Sequence, residues 1–192
     1  LSPPLLTTAH LSCRNYGDFI FYPSRVTESK GHPLLIESMK YVKSAARLVI
    51  AGKEEHPTDL ARLQQIVRDH QLEQRVELLS SFITEDHKAD LFSRCLGCAY
   101  IPYDEDSYGY VTLESYESRK PVITCSDSGG TNVVVKDGQT GFVVAPDPMA
   151  IADAIDRLYQ DKQNTRRMGE QGLRLIHSRV MSFDHVIKRL TE

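Results

Sequence analysis

The stretch Asp106-Ser-Tyr-Gly-Tyr-Val-Thr-Leu-Glu114 places two carboxylates on either side of a glycine turn that opens a helix. It follows an apolar run, 98–103, that reads as a buried strand. A strand, a glycine turn and a helix start make an anion site, because free backbone N–H groups and the helix dipole point at the turn. An ionised carboxylate is an acceptor that takes two vicinal hydroxyls. An earlier strand-to-helix junction carries two cations, Arg25 and Lys30. Arginine binds phosphate through two parallel hydrogen bonds, and lysine supplies a compact point charge. The two sets together suit a diphosphate attached to something rich in hydroxyls, as in a nucleotide sugar. Residues 24–31 hold no G-x-G-x-x-G and no Walker lysine motif, so dinucleotide binding of the NAD type is unsupported. Cations in place of a glycine cradle suit a diphosphate that leaves with its negative charge stabilised.

The elements that must position these residues alternate along the chain. Strands are expected over 18–26, 47–52, 76–82, 98–103, 121–125 and 141–145, mostly as continuous apolar runs. Such runs fit a parallel sheet covered on both faces. Leu60, Leu63, Ile66 and Val67 share one face of a helix after His56-Pro57. Thr84 is an expected N-cap, with Glu85 and Asp86 in the favourable first turn. Asp147-Pro148 is a cap with Pro at the first helical position, and Ile151, Ala154, Ile155, Leu158 and Tyr159 form the stripe behind it. The expected fold is α/β: a Rossmann-like doubly wound parallel sheet of about six strands. Residues 1–17 read as a linker remnant cut from a larger protein, 18–161 as the binding domain, and 162–192 as C-terminal helices broken near Ser182. With strand order 3-2-1-4-5-6 the ligand crevice lies between the first and fourth strands, beyond their carboxyl ends. Arg25 and Lys30 follow the first, and Asp106, Gly109 and Glu114 follow the fourth.

The chain of 192 residues has 41% hydrophobic and 26% charged residues, ordinary for a globular domain. A formal net charge of −3 leaves no electrostatic footprint for nucleic acid. No apolar run approaches the ~20 residues of a membrane span. The locally basic tail reads first as a solvated helix face and second as a peripheral contact with anionic lipid. Four cysteines without a secretory segment indicate a reducing compartment, hence a cytoplasmic or membrane-peripheral location. Cys95-Leu-Gly-Cys98 has redox or zinc spacing but lies at a helix end, so both are expected to be small core residues. His32, His56, His70, His87, His177 and His185 show no coupled spacing and read as surface or cap residues. Asp104-Glu-Asp106 could suit a divalent ion, but the cationic pair already serves the diphosphate, so no metal is expected.

These residues resemble the C-terminal, donor-binding domain of retaining GT-B glycosyltransferases at five places in order. Tyr22-Pro-Ser-Arg-Val-Thr-Glu-Ser-Lys-Gly31 resembles the family's Gly-Arg…Lys-Gly segment, with the same five-residue step from Arg to Lys. Arg47-Leu-Val-Ile-Ala-Gly52 resembles its second strand, and Asp106 to Glu114 its acid, seven residues, then Glu. Lys120-Pro-Val-Ile-Thr with Gly129-Gly130, and Lys136-Asp-Gly-Gln-Thr-Gly-Phe142, resemble the strand, loop and turn that follow.

The resemblance implies that Arg25, Lys30 and Asp106 are the catalytic residues, the cations on the donor diphosphate and Asp106 near the transferred sugar. It implies further that Ser107, Tyr108, Gly109, Tyr110 and Val111 line sugar and phosphate, and that Glu114 accepts from the ribose. It requires no cofactor beyond a nucleotide-diphosphate sugar donor, and it implies a separate N-terminal Rossmann-like domain that brings the acceptor. The sequence departs from the family pattern in four ways. Asp106 replaces a usual Glu, Ser24 a usual Gly, and Ser118-Arg-Lys120 a small residue and Gly. No acid occurs in Thr131-Asn-Val-Val-Val135, where a Glu is common. Three other classes remain open: a nucleotide-sugar epimerase-like domain, a catalytically silent nucleotide-sugar module and a flavodoxin-like signalling domain.

Overall fold

A computed structural model describes residues 11–79 and 83–178. Its six strands are β1 (Phe19–Pro23), β2 (Arg47–Ala51), β3 (Val76–Leu79), β4 (Gly97–Ala99), β5 (Val122–Cys125) and β6 (Gly141–Val144). They form one sheet in the order β3-β2-β1-β4-β5-β6, and every neighbouring pair is parallel. The helices are α1 (His32–Ser38), α2 (Pro57–Asp69), α3 (Glu85–Arg94), α4 (Tyr110–Glu117), α5 (Thr131–Val134), α6 (Pro148–Gln160) and α7 (Lys162–Ser178). All five residues of β1 are buried. Successive side chains of a strand point to opposite faces, so helices must cover both.

The expected caps are present. Thr84 accepts from the His87 amide at 3.2 Å and Asp147 from the Ala150 amide at 2.9 Å. At α2 the Asp59 carboxylate accepts from the His56 amide at 2.9 Å, and Leu63 and Val67 bury the stripe of that helix. Helix α6 buries Ile151, Ala154, Ile155 and Leu158. Helix α7 starts directly after α6 and buries Met168, Gly169, Gly172 and Ile176. The expected break near Ser182, His185, the end of the 76–82 strand and the first ten residues of the linker lie outside the described residues.

β1 and β4 fall short of their expected runs by several residues, and β2, β5 and β6 by one each. The chain leaves β4 after Ala99: the Tyr100 amide still donates to Ile123 on β5 at 2.9 Å, but the Tyr103 amide turns to the Ser29 carbonyl at 2.8 Å. Pro102 between them has no N–H for a ladder. β1 likewise ends at Pro23, and Val26 continues beside β2 only through one isolated bridge to Glu54. After β4 the run outlasts the ladder because Tyr103 turns to the segment after β1, whereas the segment after β1 stays beside the one after β2 through the bonds of Val26 with Lys53 and Glu55.

Among the described residues Cys95 and Cys98 are fully buried, with their sulfurs 3.9 Å apart. One histidine departs from expectation. His32 is fully buried, its ring stacked on Tyr22 with centroids 4.8 Å apart. It opens α1 directly after the loop that carries Arg25 and Lys30, and the sequence gives no periodic cue for its burial. Burial pushes its pKa down to about 4, against a pull from the Thr27 backbone.

Candidate functional site

The site is built where the segments after β1 and β4 cross. After β1 the chain passes through a single 3-10 turn, Glu28–Lys30, and then Gly31 in the left-handed region at φ 69°. A Cβ at Gly31 would come within 2.5 Å of the Ile101 carbonyl, so only glycine allows the crossing. Tyr22 braces this loop from below, its hydroxyl donating to the Lys30 carbonyl at 2.6 Å. After β4 the chain reaches Gly109, also at φ 69°, where a Cβ would lie 2.1 Å from the Tyr100 ring. Helix α4 starts there, and the Tyr110 and Val111 amides find no hydrogen-bond acceptor among the described residues. Unpaired amides at a helix start, with its dipole behind them, favour an anion.

Lys30 reaches toward this start through Tyr100, the ring on which Gly109 packs. Its Nζ is hydrogen-bonded and ion-paired to the Glu105 carboxylate and donates to the Tyr100 hydroxyl at 3.2 Å. Tyr100 in turn donates to Glu105 at 3.1 Å. Burial raises the Glu105 pKa, and the hydrogen bond and charge of Lys30 with the Tyr100 hydroxyl outweigh it, leaving the group below the ordinary carboxylate value. Tyr100 is pushed up, first by burial and then by Glu105.

Glu114, one helical turn into α4, is also paired. Its Oε1 meets Lys88 of α3 at 2.8 Å, and Lys88 reaches Glu85 at the same distance. Burial lowers the Lys88 pKa, but the two carboxylates prevail and raise it.

The remaining expected residues fall as follows. Arg25 is exposed on the loop after β1 and makes no ion pair among the described residues. Asp106 is exposed between Glu105 and the glycine turn. Ser107 caps the turn through its Oγ, which accepts from the Gly109 amide at 3.3 Å. Tyr108 packs against the core, Val111 is buried, and Tyr110 is 50% exposed. Tyr103 stands out further at 71%. The structure thus joins Lys30 to the β4 side and leaves Arg25 and Asp106 facing solvent. Asp104, Glu105 and Asp106 do not converge: Glu105 turns to Lys30 while its neighbours are exposed. Among the described residues no group of three metal-ligating side chains forms, and no helix is long and apolar enough to cross a membrane.

Sequence reading missed Glu105, Tyr100 and Lys88. Glu105 was visible only as one acid in a run of three, Tyr100 as a strand residue, and Lys88 as an ordinary helix cation. Each owes its place to a contact between segments far apart in the chain, which no local spacing reports.

A sequence profile described as "Glycosyl transferases group 1" matches residues 14–174. The chain belongs to that family. It is similar to the Alpha-1,3/1,6-mannosyltransferase ALG2 of Dictyostelium discoideum, 30% identical over 128 residues, covering 67% of this chain and 30% of that protein. It is also similar to the Alpha-D-kanosaminyltransferase of Streptomyces kanamyceticus, 30% identical over 156 residues, covering 79% of this chain and 39% of that protein. The chain therefore spans about a third of the length of these curated relatives. Among solved structures, the Anabaena HepE complex with UDP superposes with a TM-score of 0.81 at 21% identity, covering 91% of this chain and 49% of HepE. The C-terminal domain of a glycosyl transferase group 1 family protein from Francisella tularensis superposes with a TM-score of 0.73 at 20% identity, covering 92% and 94%. The group 1 chain thus has the Rossmann-like fold of a GT-B half.

Proposed function

We propose that this chain is the donor-binding half of a retaining glycosyltransferase, one that moves a hexosyl group from a nucleotide-diphosphate sugar to an acceptor held by an N-terminal Rossmann-like domain. The observation that carries this reading is that Lys30, after the first strand, bonds to Tyr100, on whose ring Gly109 at the open start of α4 packs after the fourth. A lysine ammonium and unpaired amides on opposite walls of one crevice are the donors a diphosphate needs. Arg25 adds a second cation from the same loop as Lys30. Negative charge on the diphosphate grows as the sugar departs, so these groups contribute most in the transition state. Glu114 accepts the ribose hydroxyls, Asp106 lies beside the sugar, and Tyr110 offers an exposed ring to it. The cations make a divalent ion unnecessary. HepE, solved with UDP, makes UDP a suitable first probe.

The test is binding by the chain itself, since both walls of the crevice lie within it. A ligand at ~100 times its dissociation constant stabilises a domain by about 2.7 kcal/mol, a readily measured rise in melting temperature. UDP, GDP, ADP and their common sugars are screened at millimolar concentration with and without EDTA. Stabilisation that survives EDTA is expected. No shift with any of them would overturn the donor-site reading, and a shift lost with EDTA and restored by Mn²⁺ would overturn the metal-free one. A silent binding module is the second reading, favoured by Asp106 in place of Glu and by the absence of an acid in α5. Turnover by a protein that contains this chain and its N-terminal partner domain separates the two.

A further inference from the structure

Lys30, the residue the proposed function assigns to the diphosphate, is already occupied. Its ammonium meets a carboxylate oxygen of Glu105 and the Tyr100 hydroxyl, which are bonded to each other. The ammonium also lies 5.5 Å from the centre of the Tyr100 ring. The Lys30 and Glu105 side chains are 17% and 24% exposed, so the pair is neither free in water nor sealed in the core. A buried structural pair would be closed to ligand, and a solvated one would cost little to break. This pair stands between those limits.

The backbone and the side chain of Glu105 are held by separate partners. The Gly130 amide donates to the Glu105 carbonyl at 2.6 Å, and the Asp104 amide to the Asp127 carbonyl at 2.9 Å, holding the segment on the loop after β5. The carboxylate has only Lys30 and Tyr100 as partners among the described residues. It can swing away without disturbing the main chain. A diphosphate offers Lys30 the same kind of ligand, an anionic oxygen, with more charge.

We propose that Glu105 is an internal counter-ion that holds Lys30 until the diphosphate displaces it, with Tyr100 holding both in place. Glu105 therefore sets donor affinity: it keeps Lys30 aimed at the crevice and subtracts from binding the free energy of breaking the pair. The inference rests on the donor-site reading, and it predicts a sign that a merely structural pair would not produce. Removing Glu105 should tighten diphosphate binding.

The experiment compares wild type with Glu105→Gln, Tyr100→Phe and Lys30→Ala by calorimetric titration of UDP and GDP, with uridine and guanosine as controls. The expected result is about 3- to 10-fold tighter diphosphate binding by Glu105→Gln, the scale of a partly exposed ion pair. Nucleoside binding should be unchanged, because it lacks the charged group. Tyr100→Phe should tighten diphosphate less, and Lys30→Ala should weaken it. Unchanged or weaker diphosphate binding by folded Glu105→Gln overturns the proposal. A wild type that binds no nucleotide refutes the donor site instead. The pair is then read directly by mass-spectrometric mapping of lysine acylation, where Glu105→Gln should raise modification of Lys30 relative to the other lysines. Equal modification in both proteins overturns the proposal.

Discussion

Two lysines at opposite ends of the sheet are each placed beside a tyrosine ring, yet they are held by different oxygens. Lys120, just before β5, is fully buried. Its Nζ donates to the Asn15 and Cys95 carbonyls, the latter at 3.0 Å, and lies 4.2 Å from the centre of the Tyr16 ring. Lys30, beyond β1, is held by the Glu105 carboxylate and Tyr100. Backbone carbonyls cannot leave without moving the main chain, here the segment before β1 and the C-terminal cap of α3, so the contacts of Lys120 are permanent. A carboxylate on a side chain can be exchanged for another anion. The same residue type thus anchors the N-terminal segment to β5 at one end and stands ready for a ligand at the other.

The largest expected effect tests the permanent lysine. Lys120→Ala should cost about 3–5 kcal/mol in urea unfolding, since it empties a packed site and strips the buried Cys95 carbonyl and the Asn15 carbonyl of their donor. Lys120→Met should recover part of that by refilling the volume. A loss below about 1 kcal/mol would make the carbonyl cage incidental and end the contrast.

The next effect comes from the floor beneath Lys30. The folded-state pKa of His32 is about 4, below its ordinary 6.5, so the unfolded chain takes up the proton first as pH falls. Stability should therefore decline from pH 6.5 toward 4, by up to about 3 kcal/mol from this group. Carboxylates with depressed pKa, such as Asp18 and Asp156, lose their contribution below their ordinary range, at the acid end of this window. Urea unfolding of His32→Phe should show a flat profile between pH 6.5 and 5. A slope equal to that of the wild type would mean that some other group carries the dependence.

Lys30→Ala comes third. Loss of one charge-assisted contact should weaken diphosphate binding by about 1.5–3 kcal/mol, some 10- to 150-fold. Stability should change by less than about 1 kcal/mol, as for other partly exposed pairs. Calorimetry and unfolding on the same sample give both numbers. A stability loss approaching that of Lys120→Ala would erase the distinction between the two lysines.

The smallest effect concerns Lys88, whose pair with Glu114 resembles the Lys30–Glu105 pair with the signs exchanged between ligand-binding residue and partner. Lys88→Met should weaken nucleoside binding by under about 1 kcal/mol, because Glu114 loses the contact that orients it. Tighter nucleoside binding in a titration would instead make Lys88 a competitor for Glu114, as Glu105 is for Lys30.

The amino-acid sequence determined the strand and helix alternation, the caps at Thr84 and Asp147 and the sheet order. Each follows from local signals: apolar runs, a capping side chain, a proline at a first helical position, and a topology rule that acts on those elements. The tertiary structure alone decided that β4 stops at Ala99, that His32 is buried, and that Lys30 and Glu114 are paired with Glu105 and Lys88. The strand run 98–103 was legible as apolar but not as ending early, because its end depends on Tyr103 meeting Ser29 across the crossing. Charge partners are chosen by which side chains converge after folding. Lys30 and Glu105 are neighbours only because β1 and β4, distant in the chain, are adjacent in the sheet.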